Sequence, residues 1–150
     1  MKTLLNTTLL FLLVIGFSGG VSGQDVSDFE ETKRLAEQGE AYAQYNLGLM
    51  YDEGEGVPEN NAEAVRWYRL AAEQGDAYAQ SDLGFMSSNG EGVPQNNVRA
   101  YIWYSVAAAQ GNETARTNRD IISERLTPDQ LARGQDIATR CFESDYQDCE

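Results

Sequence analysis

Glu37-Gln38-Gly39-Glu40-Ala41-Tyr42-Ala43-Gln44 returns 36 residues later as Glu73-Gln74-Gly75-Asp76-Ala77-Tyr78-Ala79-Gln80, and this recurrence decides the fold. Gly54-Glu55-Gly56-Val57-Pro58 returns as Gly90-Glu91-Gly92-Val93-Pro94, and Trp67-Tyr68 as Trp103-Tyr104, at the same offset. Residues 37–72 and 73–108 share 22 identities, so the chain carries a duplicated unit and not merely a biased composition. Repeats of about 20–50 residues mark solenoids, in which a unit buries its apolar face only against its neighbours.

Each unit reads as two helices. In the first, near Glu40 to Asp52, Ala43, Leu47, Met50 and Tyr51 fall at helical spacing. Gly48 and Gly84 occupy the same mid-helix position, where glycine costs ~1 kcal/mol against alanine. That repeated cost predicts a partner helix crossing close by. The second helix starts after Asn60-Asn61, which are good N-caps, and carries Ala64, Trp67, Tyr68 and Ala71 on one face. Gly75 suits a left-handed cap at its end. Between the helices, Gly54-x-Gly56-Val57-Pro58 is a turn, with Pro58 ahead of the next helix. Small Ala and Gly set against large Trp and Tyr predict helices interlocking at short range, with Trp67 and Trp103 in the core.

These residues give the chain its likeness. Ala43-Gln44-Tyr45-Asn46-Leu47-Gly48-x-Met50-Tyr51, then Gly54-Glu55-Gly56-Val57-Pro58, then Ala64-Val65-x-Trp67-Tyr68 with Ala71-Ala72-Glu73-Gln74-Gly75 resemble the Sel-like repeat (SLR), a relative of the tetratricopeptide repeat. The resemblance spans about residues 29–112. It implies an all-α fold, a short right-handed α-solenoid of antiparallel helix pairs. The second unit departs from the pattern, because Tyr45, Tyr51 and Asp52 become Ser81, Ser87 and Ser88. Loss of the aromatic at position 87 is expected to loosen packing there or to free that face.

Two units are fewer than a solenoid usually needs, and the flanks supply the rest. Residues 24–39 read as an N-terminal half repeat, since Ala36-Glu37-Gln38-Gly39 matches the later unit endings; 40–75 and 76–111 are the full repeats. Residues 112–150 form a degenerate repeat and a C-terminal cap. A helix from Asn112 to about Arg125 puts Arg119-Asp120 where the repeat has Leu-Gly. Thr127-Pro128-Asp129-Gln130 then opens a last helix in a capping arrangement that closes the stack. Cys141 and Cys149 would lie ~12 Å apart along one continuous helix, too far for a bridge. A disulfide, expected for a lone pair in an exported protein, therefore requires the chain to reverse at Glu143-Ser144-Asp145.

Residues 1–23 read as a signal peptide: Lys2, an apolar stretch from Leu9 to Phe17, then small residues Val21-Ser22-Gly23. The run is short for a membrane span and broken by Asn6, Thr7 and Thr8. The expected location is periplasmic or secreted, with cleavage near Gly23-Gln24 and no stable membrane insertion afterwards. Gly16-Phe17-Ser18-Gly19-Gly20 matches a nucleophile-elbow pattern only by coincidence, because no strand precedes it. The formal charge of −13 argues against nucleic acid and anionic lipid and favours a basic or neutral partner. There is no histidine, which removes Ser-His and Cys-His pairs and the usual neutral-pH base.

The resemblance implies an interaction module or scaffold whose first helices line a concave groove for a protein or peptide. Positions flanking the Leu-Gly pair would face it: Tyr42, Tyr45, Leu49 and Asp52, with Tyr78, Ser81, Phe85 and Ser88 in the next unit. Tyr42 and Tyr78 have an alternative place, packed between neighbouring units. No catalytic residue, cofactor or metal is expected. The acidic loop Asp52-Glu53-Gly54-Glu55-Gly56 lacks a full calcium ladder, and its copy Ser88-Asn89-Gly90-Glu91-Gly92 is poorer. Asn112-Glu113-Thr114 matches a glycosylation acceptor, relevant only in a eukaryotic secretory route. Two other readings share the fold: a secreted effector or inhibitor, and an exported hydrolase of the β-lactam-hydrolysing kind that the family contains. Against the latter stand the missing histidine, the missing S-x-x-K and the lack of a cysteine pair in each repeat.

Overall fold

Seven α-helices follow one another in the computed structural model, which describes residues 23–150, with side chains from Asp28 onward. They are α1 (Gly23–Glu37), α2 (Ala41–Glu53), α3 (Asn61–Glu73), α4 (Ala77–Asn89), α5 (Asn97–Ala109), α6 (Glu113–Ser123) and α7 (Pro128–Glu143). No strand occurs among the described residues. Each helix packs on the next from α1 to α6, which makes an all-α solenoid of helix pairs. The expected signal segment, apart from Gly23, lies outside the described residues. Among those described, no helix is long and apolar enough to cross a membrane.

The helix ends follow from side chains in the sequence. Asn60, Asn96 and Asn112 accept from the backbone N–H of Glu63, Arg99 and Ala115, which satisfies amides that the first turn leaves free. Asp76 accepts from the Tyr78 and Ala79 amides. Glu40, the equivalent residue one unit earlier, makes no such bond, as its extra methylene disfavours the short Asp-type return. Thr127 and Gln130 cap α7 reciprocally, with Pro128 in its first turn. Gly54 and Gly90, at φ 71° and 78°, end α2 and α4 in the left-handed region that a side chain would strain.

The close crossing expected at Gly48 and Gly84 is present. A Cβ at Gly48 would fall 2.5 Å from the Tyr68 ring, and one at Gly84 would fall 2.6 Å from the Tyr104 ring. The tyrosines of α3 and α5 thus fill notches in α2 and α4, and both are buried together with Trp67 and Trp103. The Ser87 expectation resolves differently: Ser87 is 2% exposed, so no face is freed. In the first unit the Tyr51 ring meets Phe29 of α1 edge-on at 5.8 Å. At the repeat offset Phe29 becomes buried Val65, so both partners shrink together.

A glutamine ladder that the motif does not announce ties the layers. Buried Gln44 donates to the Ala36 carbonyl at 3.2 Å and accepts from Gln74 at 2.7 Å. Gln80 repeats this one unit on, donating to Ala72 at 3.1 Å and accepting from Gln110 at 2.7 Å. These bonds pair side-chain amides that would otherwise be orphaned by burial. The ladder stops at α6, where the equivalent residue is Arg116.

Helix α7 packs chiefly on α5, with the Tyr101 ring against Gly134. The chain then reverses through Asp145 and Tyr146, which hold φ values of 51° and 67°. The Cys141–Cys149 disulfide is formed, with Cα atoms 4.4 Å apart and both residues buried. Gln147 donates to the Glu73 carbonyl at 3.0 Å, and Glu150 pairs with Arg69 at 3.1 Å. The tail therefore covers the outer side of α3 and α5. Among the described residues, α7 and the tail give α2 and α4 no comparable cover.

Candidate functional site

The uncovered face is built by α2 and α4, and its exposed anchors follow from helical spacing. Tyr42 sits one turn before Tyr45, and Tyr78 occupies the corresponding place on α4. Tyr42 is 75% exposed, Tyr78 67% and Phe85 48%, so these rings present most of their surface to solvent, although Tyr78 also meets Tyr45 of the preceding unit. Tyr45, Leu49 and Asp52 are half-buried. Ser81 and Ser88 are buried, and the Ser88 hydroxyl donates to the Phe85 carbonyl at 2.9 Å. Of the eight sequence-derived positions, those two offer almost no surface to a partner.

The half-buried members form a connected group. The Tyr45 ring lies 5.7 Å from Tyr68 and 6.1 Å from Tyr78, with both pairs tilted. The Tyr68 hydroxyl donates to Asp52 Oδ2 at 3.3 Å. Asp52 thus faces the helix pair and not the glycine loop that follows it, which weakens any ion-binding role for that loop. Tyr45 interacts electrostatically with Asp82, a residue that the sequence reading passed over. Burial pushes the Asp82 carboxyl up to about 6; the Tyr45 hydroxyl offsets part of this, while Asp52, Asp76 and Glu53 add repulsion. Burial, then the charge of Asp82, raises the Tyr45 phenol above its ordinary value. Tyr68 is raised too, first by burial and then by Asp52 and Asp82.

Asp82 was legible in principle, since at the repeat offset it stands between Asn46 and Asn118. One unit on, Tyr104 has Ser88 and Asn118 in the places of Asp52 and Asp82, so the repeat accommodates an amide at this position. Beside Asp82, a cleft of about 500 Å³ is lined by Ala77, Tyr78, Ser81 and, across it, Gln110, Gly111 and Asn112. Among the described residues, no group of three or more His, Cys, Asp or Glu could hold a metal ion. The arrangement offers ring faces, hydroxyls and carboxylates for recognition, with no activated nucleophile beside a base.

Comparison with known proteins agrees with this architecture. The Sel1 repeat family matches at residues 41–76 and again at 77–112. The crystal structure of a protective antigen present in uropathogenic Escherichia coli strains, displaying an SLR fold, superposes with a TM-score of 0.76 at 32% identity. The match covers 81% of this chain and 26% of that one. A Sel1 repeat protein from Oxalobacter formigenes superposes with a TM-score of 0.65 at 31% identity, over 81% of this chain and 52% of that one. The chain thus spans about a quarter and about half of the lengths of these two relatives. A comparison with curated proteins finds no match.

Proposed function

Since the chain is a Sel-like repeat protein, built on a repeat that is generally a non-catalytic scaffold, we propose that it is an exported interaction module. Its partner, a protein or peptide, docks on the face of α2 and α4. The observation that carries this reading is the set of exposed rings Tyr42, Tyr78 and Phe85 on the one layer that the C-terminal tail leaves uncovered. Aromatic anchors of this kind dominate the energetics of most interfaces. Export is supported by the Cys141–Cys149 disulfide, which persists in oxidising compartments. It is also supported by the similarity to an antigen that is protective in its own setting.

The test is a pull-down from periplasmic and medium fractions with the parent and with the Tyr42→Ala/Tyr78→Ala double variant. Circular dichroism checks that the variant keeps its helices. A partner captured by the parent and lost with the folded variant supports the reading. Equal capture by both moves the contact to another face. Failure to capture any partner under gentle crosslinking counts against an interaction module altogether.

A further inference from the structure

The first helices carry a ladder of polar positions whose middle step differs from its neighbours. Asn46, Asp82 and Asn118 lie 36 residues apart, so an acid stands where both flanking steps use an amide. Packing does not demand the charge, because the flanking units fold with the neutral amides Asn46 and Asn118 at this position. The acid sits in a half-buried place where its ionised form is disfavoured by burial and by Asp52, Asp76 and Glu53. Neither α2 nor α4 contains a lysine or arginine. Among the described residues the ion pairs of the chain lie elsewhere, and none reaches Asp52, Asp76 or Asp82. Among the described residues, negative charge without an ion-pair partner thus stands on the face of α2 and α4 that the tail leaves open, within a chain of net charge −13.

That charge is framed by aromatic rings and by room. Tyr78 is largely exposed, its ring lies 6.1 Å from Tyr45, and it lines the same cleft as Asp82. The cleft of about 500 Å³ has Tyr78, Ser81 and Asp82 on one wall and Gly111, Asn112 and Glu113 on the other. Glu113 is already paired with Arg116 at 3.2 Å, which leaves Asp82 as the unpaired acid of the cleft. A planar cation satisfies both features at once, pairing with the carboxylate and stacking on a tyrosine face. The same chain shows the stacking geometry internally, with the Arg66 guanidinium 4.3 Å from the Trp67 ring centre.

We propose that the cleft between α4 and the start of α6 receives an arginine side chain of the partner, its guanidinium held between the Asp82 carboxylate and the Tyr78 ring. The proposal rests on the docking face argued above and names the chemistry of its occupant: a peptide segment that presents arginine. Tyr42 and Phe85 do not line the cleft, but they are exposed on the same helices, α2 and α4, and offer apolar surface for other residues of the peptide.

The experiment pans the full chain against a random dodecapeptide phage library at about pH 7.5. The best peptide is then synthesised with arginine and with citrulline, its neutral isostere. Calorimetric titration of both peptides with the parent, Asp82→Asn and Tyr78→Ala completes the design. Asp82→Asn restores the residue of the flanking steps, so it folds, which circular dichroism verifies. Arginine-bearing peptides are expected to be enriched. Citrulline is expected to weaken binding to the parent at least tenfold, and Asp82→Asn to remove most of that discrimination. Peptides without cationic residues, or equal discrimination by Asp82→Asn, overturn the arginine site; if Tyr78→Ala still weakens those peptides, the docking face stands. Binding untouched by Tyr78→Ala and Tyr42→Ala, or no enrichment at all, overturns the face together with the site. Self-association of the parent in sedimentation, lost on Tyr78→Ala, makes a second copy the occupant and also overturns the proposal.

Discussion

The two layers of this solenoid are made of equivalent helices yet meet solvent differently. The layer of α3 and α5 is closed by the chain itself: α7 packs on α5, and the stapled tail reaches across to the Glu73 carbonyl and Arg69. The layer of α2 and α4 is left open by α7 and the tail, and among the described residues it keeps Tyr42, Tyr78 and Phe85 in solvent. A chain that spends its last residues closing one apolar layer while leaving rings on the other has separated stability from recognition. The covered side holds the fold together, and the open side carries the exposed rings; the serines that replace Tyr45, Tyr51 and Asp52 in the second unit are buried and belong to neither surface.

The largest effect is expected at the seam between the layers. Gly84→Leu should cost about 3 kcal/mol, because the Tyr104 ring fills the space that a side chain would need. Urea unfolding measures it, and Gly48→Leu should match it; a tolerated substitution would mean the layers are not locked by this notch. Next comes the covered side. Replacing both Cys141 and Cys149 by serine should cost about 2 kcal/mol, since so short a loop constrains the unfolded chain modestly. Binding to the open face should be unchanged, and a loss of binding there would break the separation.

Asp82→Asn is expected to act in the opposite direction. The Asp82 carboxyl is raised in the fold from an ordinary 3.8 to about 6. Ionisation therefore opposes folding: the relative stability is fully present below about pH 4 and is lost as pH rises through about 6. The variant should gain about 1–2 kcal/mol at pH 8, discounted for partial exposure, and nothing below about pH 4. Thermal melts across that range read the difference directly. The smallest stability effect belongs to the open face, where Tyr42→Ala and Tyr78→Ala should each stay within about 0.5 kcal/mol while weakening partner capture strongly. A large loss of stability there would return these rings to a packing role.

Much of this was legible one unit at a time. Cap residues act within four positions, so Asn60, Asn96 and Thr127 announce their helices without reference to the rest of the chain. Gly48 and Gly84 announce a crossing because their cost is repeated. The candidate site was less legible. Ser81 and Ser88 hold the right register but are buried, and Asp82, which falls beside the repeated Leu-Gly pair, carries the distinctive chemistry. Register predicts direction along a helix; depth depends on how near the next helix approaches.

By itself the sequence determined the repeat, its helix pairs, their caps and the notch at each glycine, because all of these are set by local spacing and by duplication. Only the tertiary structure decided that α7 lies on α5, that the tail crosses to α3, and that Tyr42 and Tyr78 are therefore left in solvent. It also decided how deep the single acid of the amide ladder sits, and with it the charge state of the open face. Those outcomes depend on contacts between residues as far apart as Glu73 and Gln147. No window of the chain short enough to show a period contains them.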